Sequence, residues 1–304
     1  MIFPKGLKTG DTIGIISPSS QFTEYSLDEI KTGFNDLGYK VKFGKSVDKV
    51  YKGYLSGEDT IRAKDIEDMF LDNDITGIIC MRGGYGTPRI LEMIDYNIIK
   101  SNPKFFIGFS DITALHIAFN QKANLSTVHG IMGGSILKWD AFTYKSLIDT
   151  LNLKEKLIIS NPRNEKIVTI KPGYCEGKVI GGNLSLIVST IGSEYEIDTN
   201  GKILFIEEIG EPVYKIDRML TQLGMSGKFS NCKGIIFGDF SDCNNIDENE
   251  FRIEELLKDR VLKYNKPCIY NLKSGHCMPM ISLPFGIDCK LDATNQTIEF
   301  FKNS

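Results

Sequence analysis

Through the first half of the chain, short apolar runs alternate with stretches whose apolar residues recur at helical spacing. Strands buried on both faces read as unbroken hydrophobic runs, so this alternation predicts βαβ units around a largely parallel sheet. A strand is expected at Ile13–Ile16, ending in Ser17-Pro18-Ser19-Ser20, followed by a helix carrying Leu27, Ile30, Phe34 and Leu37 on one face and a strand at Tyr39–Phe43. Ser56 is expected to cap a second helix with Ile61, Ile66, Met69 and Phe70 at helical spacing. The next strand, Thr76–Cys80, runs into Met81-Arg82-Gly83-Gly84-Tyr85-Gly86, and strands at Phe105–Gly108 and Ser126–Val128 complete the sheet.

Between about Ser135 and Lys166 the pattern turns irregular and polar, with Asn161-Pro162-Arg163-Asn164-Glu165 as its clearest break, and strands restart near Val179–Ile180, Ile203–Ile206 and Gly234–Phe237. The fold class expected is therefore α/β in two domains, 1–155 and 156–304, joined by a linker within about 135–170; a length of 304 residues suits that division. Thirty-six Lys+Arg against 39 Asp+Glu give a formal net charge of −3, which argues against nucleic acid and for a small-molecule or peptide ligand. The seven cysteines (Cys80, Cys175, Cys232, Cys243, Cys268, Cys277, Cys289) form no C-x-x-C pair and read as reduced thiols. With no apolar run approaching the ~20 residues that cross a bilayer and no signal-like start, a soluble cytoplasmic protein without a membrane partner is expected.

Candidate chemistry gathers where the predicted strands end. Ligands of open α/β sheets bind outside the carboxyl ends of the strands, and Ser17–Ser20, Gly83-Gly84 and Ser110 all fall there. Ser110 follows a buried strand and precedes a helical pattern, with Gly108 clearing space two residues earlier, which is the layout of a nucleophile elbow. The run departs from G-x-S-x-G, because Ile112 holds the place of the last glycine. The backbone N–H groups of Gly84 and Asp111 are candidates for an oxyanion hole.

A serine needs a base and an orienting acid. Only His116, His129 and His276 compete as base. His116 lies on the apolar helix after the elbow and suits a packed core position. His129 ends a strand on the same rim, and His276 occupies an irregular loop between Gly275 and Pro279. Glu207 ends an apolar strand, with Glu208 and Glu211 beside it; alternation puts Phe205 and Glu207 on one face and Glu208 on the other, without showing which face matters. Arg82, Gly83 and Tyr85 lie in the same loop as Gly84, and Arg89 follows it. No H-E-x-x-H, calcium loop, Walker A or dinucleotide fingerprint occurs, so neither metal nor cofactor is expected and a cofactor-free hydrolase is inferred.

Taken together, Leu7-Lys8-Thr9-Gly10-Asp11-Thr12-Ile13, Met81–Gly86, Gly108–Leu115, Gly181-Gly182-Asn183-Leu184-Ser185, Phe205–Glu208 and Gly275-His276 resemble the LD-carboxypeptidases in the same order over almost the whole chain. These serine peptidases include muramoyltetrapeptide carboxypeptidase and the microcin C self-immunity hydrolase. The resemblance implies a triad of Ser110, Glu207 and His276, an oxyanion hole at Gly84 and Asp111, and a glutamine-amidotransferase-like N-terminal domain. It also implies a mixed C-terminal domain supplying Glu and His, an active site between the domains, and a homodimer. The segments Glu207–Pro212 and Tyr214–Arg218 look like the murein-recycling branch. The substrate this implies is a murein tetrapeptide losing its terminal D-alanine, with Arg82 or Arg89 as the cation for its carboxylate and Arg82, Gly83 and Tyr85 as substrate-binding candidates. A peptidyl-nucleotide amide and a non-catalytic binding role are the alternatives.

Overall fold

A computed structural model describes residues 1–243 and 251–302. The chain divides into two compact units: Met1–Asn152 with Ser282–Pro284, and the remainder from Leu153–Ile281 onward.

The first unit is built on a six-stranded sheet. Its strands are β1 (Thr12–Ile16), β2 (Lys40–Phe43), β3 (Ile75–Cys80), β4 (Phe105–Gly108) and β5 (Thr127–His129), with the returning segment Leu283–Phe285 beyond β5. The spatial order, segment-β5-β4-β3-β1-β2, pairs β1 to β5 in parallel. Ile15, Ile16, Ile78 and Phe105–Ile107 are each fully buried, as a parallel sheet covered on both faces requires. Rings of Phe70, Phe106 and Phe119 pack in one cluster, Phe106 and Phe119 at 4.8 Å and 70°. Burying each such side chain contributes roughly 1.5–3 kcal/mol.

Local signals explain the helices. Ser26 caps Leu27–Asp36 through a capping box with Glu29, and Ile30 and Phe34 face the core. The helix at Asp59–Leu71 starts instead at Glu58; Ser56 lies before it and donates its hydroxyl to Ser46 O at 2.6 Å, serving a loop rather than the helix end. In the stretch read as irregular, Ala141–Leu151 is a helix capped by Asp140, and the strand Lys156–Ile159 follows. The segment after Ile281 is tied back to that helix: Ser282 N donates to Ser146 Oγ at 3.0 Å, and Thr150 Oγ1 donates to Ser282 O at 3.0 Å.

The second unit holds an eight-stranded mixed sheet. Its strands are β6 (Lys156–Ile159), β7 (Val168–Lys171), β8 (Tyr174–Asn183), β9 (Ile203–Ile209), β10 (Gly234–Ser241), β11 (Cys268–Tyr270), β13 (Asp288–Asp292) and β14 (Thr297–Phe301), Leu283–Phe285 being β12. In the order β6-β14-β13-β8-β9-β10-β11-β7, the centre from β8 to β11 is parallel and the flanks are antiparallel. Among the described residues, no helix is long and apolar enough to cross a membrane.

Candidate active site

The β4 strand ends in a turn that holds Ser110 at φ +61°, left-handed backbone that a non-glycine residue adopts at a cost of about 1–3 kcal/mol. A short 3₁₀ turn, Ser110–Ile112, leads directly into the helix Thr113–Lys122. Gly108 permits this tight return: a Cβ there would stand 3.1 Å from two side-chain carbons of Ile112. Gly83 lies against the nucleophile candidate itself, since a Cβ at 83 would be 3.0 Å from Ser110 Oγ and 3.3 Å from Asp111 N. Gly84 follows at φ +110°, where a Cβ would collide with Ser20. The glycine loop and the serine turn are therefore apposed backbone to side chain, the arrangement that lets peptide N–H groups face a developing oxyanion.

Other candidates in this unit have partners of their own. Arg89 gives a two-pronged pair to Asp59, Nε to Oδ1 at 3.0 Å and Nη2 to Oδ2 at 2.7 Å, so it braces the loop. Exposed Arg82 donates from Nη1 to Gln21 O at 3.0 Å. Tyr85 is half exposed, its ring 6.2 Å from that of Tyr54, and its backbone N–H donates to Ser20 Oγ. His116 bonds Gly108 O through Nε2 at 2.8 Å, and burial pushes its imidazole down to about 4, leaving it neutral. His129, the rival base, is wholly buried between the rings of Phe109 and His116.

In the second unit, Glu207 and His276 are brought together. His276 Nδ1 lies 2.7 Å from Glu207 Oε2; the carboxylate is fully buried and the imidazole 15% exposed. Burial raises the Glu207 carboxyl, opposed by its bond to His276. For His276 burial favours the neutral ring, but the hydrogen bond and charge of Glu207 outweigh it and raise the imidazole above its ordinary value. Ser241 Oγ donates to His276 O at 2.8 Å and also bonds Asp239, fixing the loop backbone. No signal in the sequence pointed to Ser241. Gly275, at φ +124°, did carry one: a glycine directly before the histidine marks close backbone approach.

The neighbouring acids are employed elsewhere. Glu208 faces away from Glu207, as strand alternation requires, and accepts from Asn183 Nδ2 (2.8 Å), Ser185 N (2.8 Å), Ser185 Oγ (2.6 Å) and its neighbour Ile209 N (2.9 Å). It thus anchors the start of the helix Leu184–Ser189, which Asn183 caps. Glu211 pairs with Lys215 at 3.1 Å. Among the described residues no group of three or more His, Cys, Asp or Glu is clustered to hold a metal ion.

A serine on a strained strand-to-helix turn and a histidine held by a buried glutamate are the parts of a serine hydrolase. Residues 13–130 match the LD-carboxypeptidase N-terminal domain and residues 176–291 the C-terminal domain. The chain is 38% identical over 301 residues to a probable murein peptide carboxypeptidase of Bacillus subtilis, spanning 97% of this chain and 92% of that protein. Its fold superposes with a TM-score of 0.92 on MccF in complex with glutamyl sulfamoyl guanosine, at 26% identity over 100% of this chain and 99% of that one. It superposes at 0.83 on a muramoyltetrapeptide carboxypeptidase from Oxalobacter formigenes, at 25% identity over 95% and 97% of the two chains. The chain belongs to the LD-carboxypeptidase family. It is an enzyme, a serine-type carboxypeptidase with the two-domain α/β fold of these relatives.

Proposed function

We propose that the protein removes the C-terminal D-alanine from murein tetrapeptides in the cytoplasm, as a homodimer, using Ser110 as nucleophile, His276 as base and Glu207 as the group that orients it. The observation that carries this reading is the 2.7 Å bond between His276 Nδ1 and the buried Glu207. A carboxylate accepting from Nδ1–H fixes the tautomer in which Nε2 carries the lone pair, the form a general base needs. In this reading Ser110 Oγ attacks the amide carbonyl of the third peptide residue while His276 Nε2 takes its proton. The N–H groups of Gly84 and Asp111 stabilise the oxyanion. The proton passes to the departing D-alanine amine, leaving an ester on Ser110. Water, deprotonated in turn by His276, cleaves that ester. Arg82 and Tyr85, exposed on the glycine loop, are the proposed contacts for the substrate.

The murein substrate is supported by the name of the Bacillus subtilis relative. The close superposition on MccF favours a second substrate class, a peptidyl-nucleotide amide. The experiment is to incubate wild type and Ser110→Ala with free and nucleotide-linked muramoyl tetrapeptide, and separately with a peptidyl sulfamoyl nucleoside, measuring released D-alanine and nucleoside. D-alanine release by wild type alone supports the proposal, whereas nucleoside release without D-alanine moves the assignment to the second class. Binding by both forms with turnover by neither would leave only a ligand-binding role.

A further inference from the structure

Three loops around Ser110 are stitched together by groups withdrawn from solvent. Asp111 is 0% exposed, and its Oδ2 accepts from Ser19 Oγ at 2.6 Å and from Thr87 N at 2.8 Å. Thr87, also 0% exposed, returns the link: its Oγ1 donates to Asp111 O at 2.5 Å. Arg62, equally buried, donates from Nη1 to Pro18 O (2.6 Å) and Gly86 O (2.9 Å) and from Nε to Gly57 O (3.3 Å), and it pairs with Asp59. The Ser17–Ser20 loop, the glycine loop and the serine turn are thereby held against one another by reciprocal bonds. Burial raises the Asp111 carboxyl, opposed by its bonds from Ser19 and Thr87 and by the charge of Arg62.

Asp111 is the residue whose own N–H is proposed for the oxyanion, and Thr87 lies three positions after Gly84, the other donor. Oxyanion stabilisation depends on donors already fixed where charge develops, so the separation of two peptide groups on two different loops has to be set by something. We infer that Thr87 is a positioning residue for the reaction. Its two bonds to Asp111 clasp the glycine loop to the serine turn at the spacing where the N–H groups of Gly84 and Asp111 meet one oxyanion. This inference rests on Ser110 being the nucleophile. It also accounts for a buried hydroxyl and carboxylate at a place where apolar side chains would fill the space without polar desolvation.

The test compares wild type, Thr87→Val and Thr87→Ser. Valine preserves shape and removes the hydroxyl; serine restores it. Two readouts are taken: D-alanine release from muramoyl tetrapeptide, and inhibition by a peptide boronic acid, whose boron bonds Ser110 Oγ to give a tetrahedral adduct. For Thr87→Val, kcat is expected to fall about tenfold to a hundredfold, below the ~10²–10³ that outright loss of a donor costs, with KM within about twofold. Boronate affinity should weaken by the same factor as kcat, and Thr87→Ser should lie within about threefold of wild type. Wild-type kcat in Thr87→Val, a rise in KM alone, a boronate affinity that does not follow kcat, or a serine variant as slow as the valine one would overturn the inference. If Thr87→Val fails to fold by circular dichroism, Thr87→Ala, which removes the same hydroxyl, decides by the same two readouts with Thr87→Ser as its rescue. An inactive wild type, or an active Ser110→Ala, would count instead against the nucleophile assignment on which the inference rests.

Discussion

A Cβ on Gly275 would stand 2.7 Å from Oε2 of Glu207 and 2.9 Å from its Cβ. The loop that delivers His276 therefore lies directly on the carboxylate that orients it. Gly275→Ala must push one of them away, in addition to straining a backbone at φ +124°. The expected result is a loss of about 1–3 kcal/mol in unfolding free energy and a drop in kcat of tenfold or more, measured by denaturant titration and steady-state kinetics.

The pH profile follows from the same pair. A base works unprotonated, and Glu207 raises the His276 imidazole, so kcat/KM should climb with pH along a limb centred above 6.5, the ordinary value. In Glu207→Gln the largest raising influence is gone and burial of His276 is opposed only by the more distant charges of Glu208 and Asp239, so the limb should move to lower pH while kcat falls by on the order of 10³–10⁴. A limb that stays in place in that variant would show that Glu207 does not set the titration.

Glu208 separates structure from chemistry. Replacing it with Gln mismatches the donors from Ser185, including the N–H at the start of a helix, and should cost about 1–3 kcal/mol of stability. The acid limb should move to lower pH, but by less than in Glu207→Gln, because Glu208 acts on the His276 imidazole through its charge without a hydrogen bond to it. Thermal unfolding and the pH profile, measured on one preparation, check both.

His116 should make the protein sensitive to acid. Its buried ring holds its pKa down to about 4, so between the ordinary 6.5 and 4 the unfolded chain binds the proton more readily than the folded one. Stability is complete above that window and declines as pH falls through it, by roughly 2 kcal/mol between pH 6.5 and 5 from this group. In His116→Gln, unfolding measured at pH 7 and pH 5 should show a smaller difference than in wild type.

At Gly83 a side chain would meet Ser110 Cβ at 2.8 Å and Oγ at 3.0 Å. Gly83→Ala should abolish most turnover and slow labelling of the serine by a fluorophosphonate, with the unfolding midpoint changed far less than the rate.

Much of this was legible before any coordinates, for identifiable reasons. The inner strands β1, β3 and β4 are largely buried and so announce themselves as apolar runs, and the Gly108–Ser110 spacing carries the turn. Alternation along β9 separated Glu207 from Glu208, but only the bond to His276 shows which face meets the histidine. The helix Ala141–Leu151 escaped because buried Thr143 and Thr150 occupy its inner face and read as polar. Glu58 rather than Ser56 begins the second helix because the Ser56 hydroxyl is spent on Ser46 O. The sixth strand of the first sheet had no local signature at all, since it comes from the far end of the chain.

That last strand has a consequence for how the molecule is made. Leu283 and Pro284 cover the outer edge of β5, and the proline, lacking an N–H, helps keep that edge from recruiting a further strand. While the chain is being synthesised, everything else in the first unit has emerged long before these residues exist. Until they do, β5 has no neighbour on that side, and a chain ending anywhere upstream of Ser282 is expected to leave an unpaired edge on the sheet that carries Ser110.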